Sequence, residues 1–229
     1  MIYRYKDERS HNRSVASSIF QFAKKEKPID AKKKTKLSQT DMSRKAQHTV
    51  AAVFVDNYSE KFQSGDGWHA EDRAVSAVRN YLQNINPANV LTQKNVTLYV
   101  SKSPCYGGDA DNNATFVPKA GGSKKVSCTN VLNTLNGQII NGYKVHLKVK
   151  VWRIYHGKKV KKAEQSSIHS MAILAKDGAS VDGISSNNSV LGGISNTSSA
   201  RTWRKKQRQK IQQAVKKGKL LRHKKAKKA

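Results

Sequence analysis

VTLYVSKSPC, residues 96–105, is the stretch on which the reading of the fold turns. Val96 to Val100 is rich in β-branched and aromatic side chains and reads as a strand. It runs straight into Ser101-Lys102-Ser103-Pro104, with Cys105 next on the turn. On the N-terminal side, His69 to Leu82 places Ala70, Ala74, Val75, Val78 and Leu82 on one stripe, the spacing of a helix. The turn Ser64-Gly65-Asp66-Gly67 precedes it, so His69 falls in the first helical turn with its ring free to point out of the helix end. On the C-terminal side, Tyr106 to Ser127 is rich in Gly, Asp, Asn and Lys and has no periodicity. Cys128 then opens a short helix to Asn136, with Gly137 just past its end.

Further out, Thr49 to Asp56 (TVAAVFVD) reads as a strand, with Tyr58 to Gln63 as a short returning one. Lys144 to Tyr155 (KVHLKVKVWRIY) is the clearest strand: Val145, Leu147, Val149 and Val151 alternate with Lys144, His146, Lys148 and Lys150. At Trp152 the alternation changes sense, which carries Arg153 and Tyr155 toward a loop. Those lysines read as a solvated face or, alternatively, as nucleic-acid contacts. Helices are expected over Ser14–Lys27 and Lys162–Lys176, and a last strand over Ala179–Ile184. Helices alternating with strands predict an α/β fold. The predicted organisation is one domain over residues 1–184 with an insertion at 106–127, a Gly/Ser/Asn-rich linker over 185–200, and a basic tail over 201–229. The tail reads as either helical or disordered, with disorder favoured when unbound.

The chain of 229 residues carries a formal net charge of +29 and a pI near 10.2, which points to a polyanionic partner, most simply a nucleic acid. From Arg201 to Ala229 there are fourteen Lys/Arg and no acidic residue. No run approaches the ~20 apolar residues of a membrane span, and the charged N-terminus lacks the apolar core of a secretory signal. The reading is an intracellular protein, nuclear or cytoplasmic, with no membrane partner; the oligomeric state is left open.

Cys105 and Cys128 are the only cysteines, and their placement suits a metal better than a staple. With His69 they supply three of the four ligands of a tetrahedral Zn²⁺, leaving one position for water. Glu71, two residues after the histidine, stands close enough to move that water's protons. His-x-Glu, then Pro-Cys, then a later Cys is the signature of the zinc nucleobase deaminases, with the glutamate as acid/base and not as a ligand. The rival is a structural zinc site in a nucleic-acid-binding protein, which needs a fourth ligand; His146, His156 and His169 are the candidates.

On these residues the chain resembles the AID/APOBEC branch of the cytidine deaminases. His69-Ala70-Glu71 matches the family's metal and proton-shuttle motif, and Ser101-Lys102-Ser103-Pro104-Cys105 is similar to its Ser-x-Ser-Pro-Cys. Arg153-Ile154-Tyr155 is similar to the Arg-Leu/Ile-Tyr that opens its substrate-selecting loop. The resemblance implies a mixed five-stranded sheet flanked by helices and hydrolytic deamination of cytosine to uracil in single-stranded polynucleotide, DNA before RNA. It implies Tyr155 against the target base, Asn57 near the sugar, and backbone amides around Ala70 and Ser103 on the base's Watson–Crick edge. Trp68 is either packing or pocket rim, and Arg153 lies at the site's edge. Two features depart from the pattern. Twenty-two residues separate the cysteines where the family has two to four, and Lys102 stands where the family has an aromatic residue. A same-fold enzyme acting on adenine in tRNA is a further alternative, against which the Arg-Ile-Tyr run argues.

Overall fold

A computed structural model describes residues 36–42, 48–65, 68–105, 115–116, 125–155, 160–185 and 197–226. The helix expected over Ser14–Lys27, most of the insertion and linker, and His156 lie outside these residues. In chain order the elements are a short helix α1 (Gln39–Met42), strands β1 (Val50–Val55) and β2 (Tyr58–Gln63), helix α2 (Ala70–Asn84) and strand β3 (Thr92–Val100). A small hairpin follows, β4 (Thr115–Phe116) with β5 (Lys125–Val126), then helix α3 (Cys128–Leu135). Strands β6 (Ile139–Ile140) and β7 (Tyr143–Val151), helix α4 (Val160–Lys176), strand β8 (Ser180–Gly183) and helix α5 (Ser198–Ala226) complete the series.

The fold is α/β, a mixed six-stranded sheet in the order β2-β1-β3-β7, with β6 and β8 sharing the outer edge of β7. The strand beyond the five expected is β6, two residues long and too short to read by alternation. β1 runs antiparallel to β2 and β3, whereas β3, β7 and β8 are parallel. Parallel neighbours cannot be joined by a tight turn, and α3 and α4 lie on the two crossovers. Register fixes what this does for function. Val50 pairs with Gln63, Ala51 with Val100, Val100 with Val151, and Val151 with Gly183. The carboxyl ends of all three parallel strands therefore open at one end of the sheet, the place where α/β sheets carry their sites.

The alternation in β7 does what its pattern requires. Val145, Leu147, Val149 and Val151 are buried with Val96, Leu98 and Val100 of β3 and Ala51, Val53 and Val55 of β1. Against this face pack Ala70, Ala74, Val75, Val78 and Leu82 of α2, Leu132 and Leu135 of α3, and Met171, Leu174 and Ala175 of α4. On the other face Lys150 pairs with Asp182 at 3.1 Å and is partly solvated. A smaller cluster near the site end, Leu37, Met42, Val50, Ala52, Trp152 and Ile184, covers the rest.

Two expectations are corrected. β7 stops at Val151: the Trp152 amide still donates to the Val100 carbonyl of β3, but the backbone of residues 153–155 bonds to Ser103, Gln207 and Ser167 instead of a strand. Of the two readings of the basic tail the helical one holds over the described residues, which belong to the 29-residue helix α5. Arg204, Gln207, Ile211, Ala214 and Gly218 are buried at helical spacing, and Ile211 and Ala214 belong to the main core. This apolar and small-residue face among the lysines is what charge alone concealed. At Gly218 the backbones of α5 and α4 touch: a Cβ there would stand 2.1 Å from the Ala172 carbonyl oxygen. Among the described residues no helix is long and apolar enough to cross a membrane.

Candidate metal centre

His69 caps α2 in extended conformation (φ −83°, ψ 152°), and the Asp72 carboxylate accepts its N–H at 3.1 Å. This fixes where the ring leaves the helix. Cys105 lies five residues beyond β3, and Cys128 is the first residue of α3. Ser127 caps that helix, its Oγ accepting from the Asn130 amide. Thr129 holds the Cys105 carbonyl with both its amide (3.2 Å) and its hydroxyl (2.9 Å). The strands thus bring one end of the sheet together, and three caps and turns aim the donors.

The donors converge. His69 Nδ1 is 2.9 Å from Cys128 Sγ and 3.6 Å from Cys105 Sγ, and the sulfurs are 3.2 Å apart. Sulfurs in a disulfide would be at about 2.05 Å, so these are two free thiols. A tetrahedral ion at ordinary N and S bond lengths sets its donors about 3.5–3.8 Å apart, so an expansion of roughly half an ångström seats one. One imidazole and two thiols are a donor set for a borderline or soft metal. Among the described residues no further His, Cys, Asp or Glu joins the group. His146 instead contacts Ser180 Oγ at 3.2 Å on the sheet's other face.

Electrostatics follow from this crowding. Hydrogen bonding to Cys128 pulls the Cys105 thiol down to about 5 against its burial. Hydrogen bonding to Cys105 raises His69 to about 9, and the hydrogen bond between the two sulfurs together with burial pushes Cys128 well up. Glu71 is 2 % exposed; burial, then the nearby Cys105 charge, raises its carboxyl to about 7. Its Oε2 is buried and has no hydrogen-bond partner among the described residues. An orphaned buried carboxylate oxygen is costly and calls for a functional reason.

Tyr155 reaches the same end of the sheet on a segment without regular structure. The residue is 41 % exposed, and Lys102 Nζ lies 5.9 Å from the ring centroid. The Lys102 ammonium is depressed by burial and by the Arg153 guanidinium. Arg153 is itself buried, so it forms the wall and not an outer edge. Trp68, paired through its backbone with Gly65, holds its indole half exposed at the rim. Ala70 is fully buried, and its amide is one of the first-turn donors that have no intrahelical acceptor.

Two expectations about substrate contacts are corrected. The Ser103 amide is already committed, donating to the Arg153 carbonyl at 2.8 Å, while Ser103 Oγ accepts from the Tyr155 amide at 2.9 Å. Asn57 is not at the site. It forms, with Asp56 (φ 50°), the two-residue turn joining β1 to β2. Six strand residues put that turn roughly 20 Å from the site end. The sequence reading missed Gln207 of α5, whose Oε1 accepts the Ile154 amide at 3.0 Å. The signal was the helical spacing of Gln207, Ile211, Ala214 and Gly218.

No protein-family model matches the chain, and no curated protein matches it.

Proposed function

We propose that the chain is a zinc-dependent polynucleotide cytidine deaminase of the AID/APOBEC kind, converting cytosine to uracil in single-stranded DNA. The observation that carries this reading is Glu71, a buried carboxyl with one unpartnered oxygen beside three convergent metal donors. His69, Cys105 and Cys128 would hold the ion through Nδ1 and the two sulfurs. Bound zinc supplies Lewis acidity, which brings the pKa of water from 15.7 toward about 7. Glu71, with a pKa near the working pH, suits both halves of proton transfer. It takes a proton from the attacking water and delivers it to N3 of the base. The water oxygen bonds to C4; Glu71, deprotonated again, then takes the remaining hydroxyl proton and passes it to the amino group, which leaves as ammonia as the C4 carbonyl forms and N3 keeps its proton. Tyr155 offers an exposed ring for stacking on the base. The Ala70 amide is an available donor for the base edge, a role the Ser103 amide cannot share. The net charge of +29 favours a polynucleotide over a free nucleoside, and an intracellular one.

The test is a uracil-dependent cleavage assay on a single-stranded oligonucleotide with one cytosine, using wild type and Glu71→Gln, each with its zinc content measured. Cleavage by the wild type alone, at equal zinc occupancy, is the expected result. Turnover on RNA but not DNA would move the substrate class and keep the chemistry. Zinc bound with no product from DNA, RNA or cytidine would replace the enzyme by a nucleic-acid-binding protein with a structural metal.

A further inference from the structure

Arg153, Ile154 and Tyr155 leave the sheet after β7, and an irregular segment of this kind has to find its backbone partners elsewhere. It finds them on three different elements. The Arg153 carbonyl accepts from the Ser103 amide, and Ser103 Oγ accepts from the Tyr155 amide. The Tyr155 carbonyl accepts from Ser167 Oγ of α4 at 3.2 Å. Between them, the Ile154 amide has its acceptor on α5, the Gln207 side chain. Gln207 is buried, and the helix around it is locked to the same place. Trp203 lies 6.3 Å from Trp152 between ring centroids, the Arg204 guanidinium stands 5.7 Å over the Trp152 ring, and a Cβ at Gly183 would meet Arg208 Cγ at 2.7 Å.

We infer that Gln207 is a positioning residue: it ties the basic helix α5 to the Arg153–Tyr155 segment, so that α5 sets the aim of the Tyr155 ring. The inference rests on the proposed deaminase reading for its kinetic part and on geometry for its structural part. Two of the four backbone bonds come from Ser103, which moves with the metal donors, and one from α4. The Gln207 bond is the one that belongs to a helix whose outward face carries Arg201, Lys205, Lys206, Lys216 and Lys217, all exposed. A strand held on that face therefore acts on the element that also orients the base-stacking ring. The helix contributes to turnover and not only to affinity.

Gln207→Ala and Gln207→Glu in the full chain test this. Glu keeps an accepting oxygen at this position whichever protonation state it adopts. In Gln207→Ala the Ile154 amide should exchange with deuterium at least fivefold faster, kcat on a single-stranded oligonucleotide should fall about tenfold, and KM should change less than twofold. Gln207→Glu should restore both the protection and kcat. Unchanged Ile154 exchange in Gln207→Ala overturns the inference. So does a kcat loss that Gln207→Glu does not rescue, which would mark general loss of packing. If the wild type makes no uracil, the exchange arm still decides the tie, while the deaminase reading fails separately.

Discussion

At the scale of single residues, the centre is a set of protons waiting to be displaced. His69 at about 9 is a cation at neutral pH, Cys105 at about 5 is a thiolate, and Cys128, pushed well up, is a thiol. A metal needs neutral imidazole and two thiolates. Its binding at pH 7 should therefore release about two protons from the ligands, one from His69 and one from Cys128. The sign is fixed throughout: affinity rises with pH. It rises by about three protons' slope below pH 5, two between 5 and 9, and one above 9. Zinc titration calorimetry in buffers of different ionisation enthalpy measures this, and a release near zero at pH 7 would contradict the assigned states. These ligands were legible in the sequence because three metal-binding residues, one His and two Cys, and a proton carrier fell within sixty residues that also carried clear helix and strand patterns. Asn57 was not. Nothing in its neighbourhood distinguishes a turn asparagine from a substrate contact until register shows which end of the sheet the turn occupies.

At the scale of elements, β7 and α2 were readable because each buries one face and leaves its period in the sequence. α5 was misread because twelve Lys/Arg residues dominate any average taken over it. Its buried face uses an alanine, a glycine and a glutamine as well as Ile211, and such residues weigh little on a hydropathy scale. Gly218 is the sharpest test of the packed helix. An alanine in a helix interior is ordinarily better than glycine by about 1 kcal/mol. Here its Cβ would press into the Ala172 carbonyl, and backbone cannot swing aside as a flexible side chain can. Gly218→Ala should lower the Tm by several degrees, whereas Gln213→Ala, one turn earlier on the exposed face, should not. An unchanged Tm in Gly218→Ala would mean that α5 does not seat on α4 as described. Between the cysteines the described residues form a small hairpin, Thr115 opposite Val126 and Phe116 opposite Lys125. Closing a loop of this length costs only a little more than closing a short one.

At the scale of the molecule, charge and site are separable. The exposed lysines of α5 lie on the face away from the core, so removing their charge leaves the buried face intact. Changing Lys205, Lys206, Lys216 and Lys217 together to Gln should reduce the slope of log K against log salt for single-stranded DNA by about 3, at roughly 0.7 per phosphate contact. The Tm should stay within a degree or two. An unchanged slope would mean that this face does not meet phosphates. Deleting α5 altogether is a different experiment, because it also uncovers the core around Ile211 and Ala214 and removes Gln207. Loss of activity on such a truncation would not separate binding from architecture.

The bond from Gln207 to Ile154 spans 53 residues of chain. During synthesis Ile154 is made first, and at 5–20 residues per second its partner follows about 3–10 s later. Over that interval the metal donors and strands β1 to β7 already exist and α4 and β8 are added, while the last anchor of the Arg153–Tyr155 segment is still to come. A nascent chain thus lacks the last anchor of its Arg153–Tyr155 segment until α5 emerges, so this segment is the last part of the site end to be fixed.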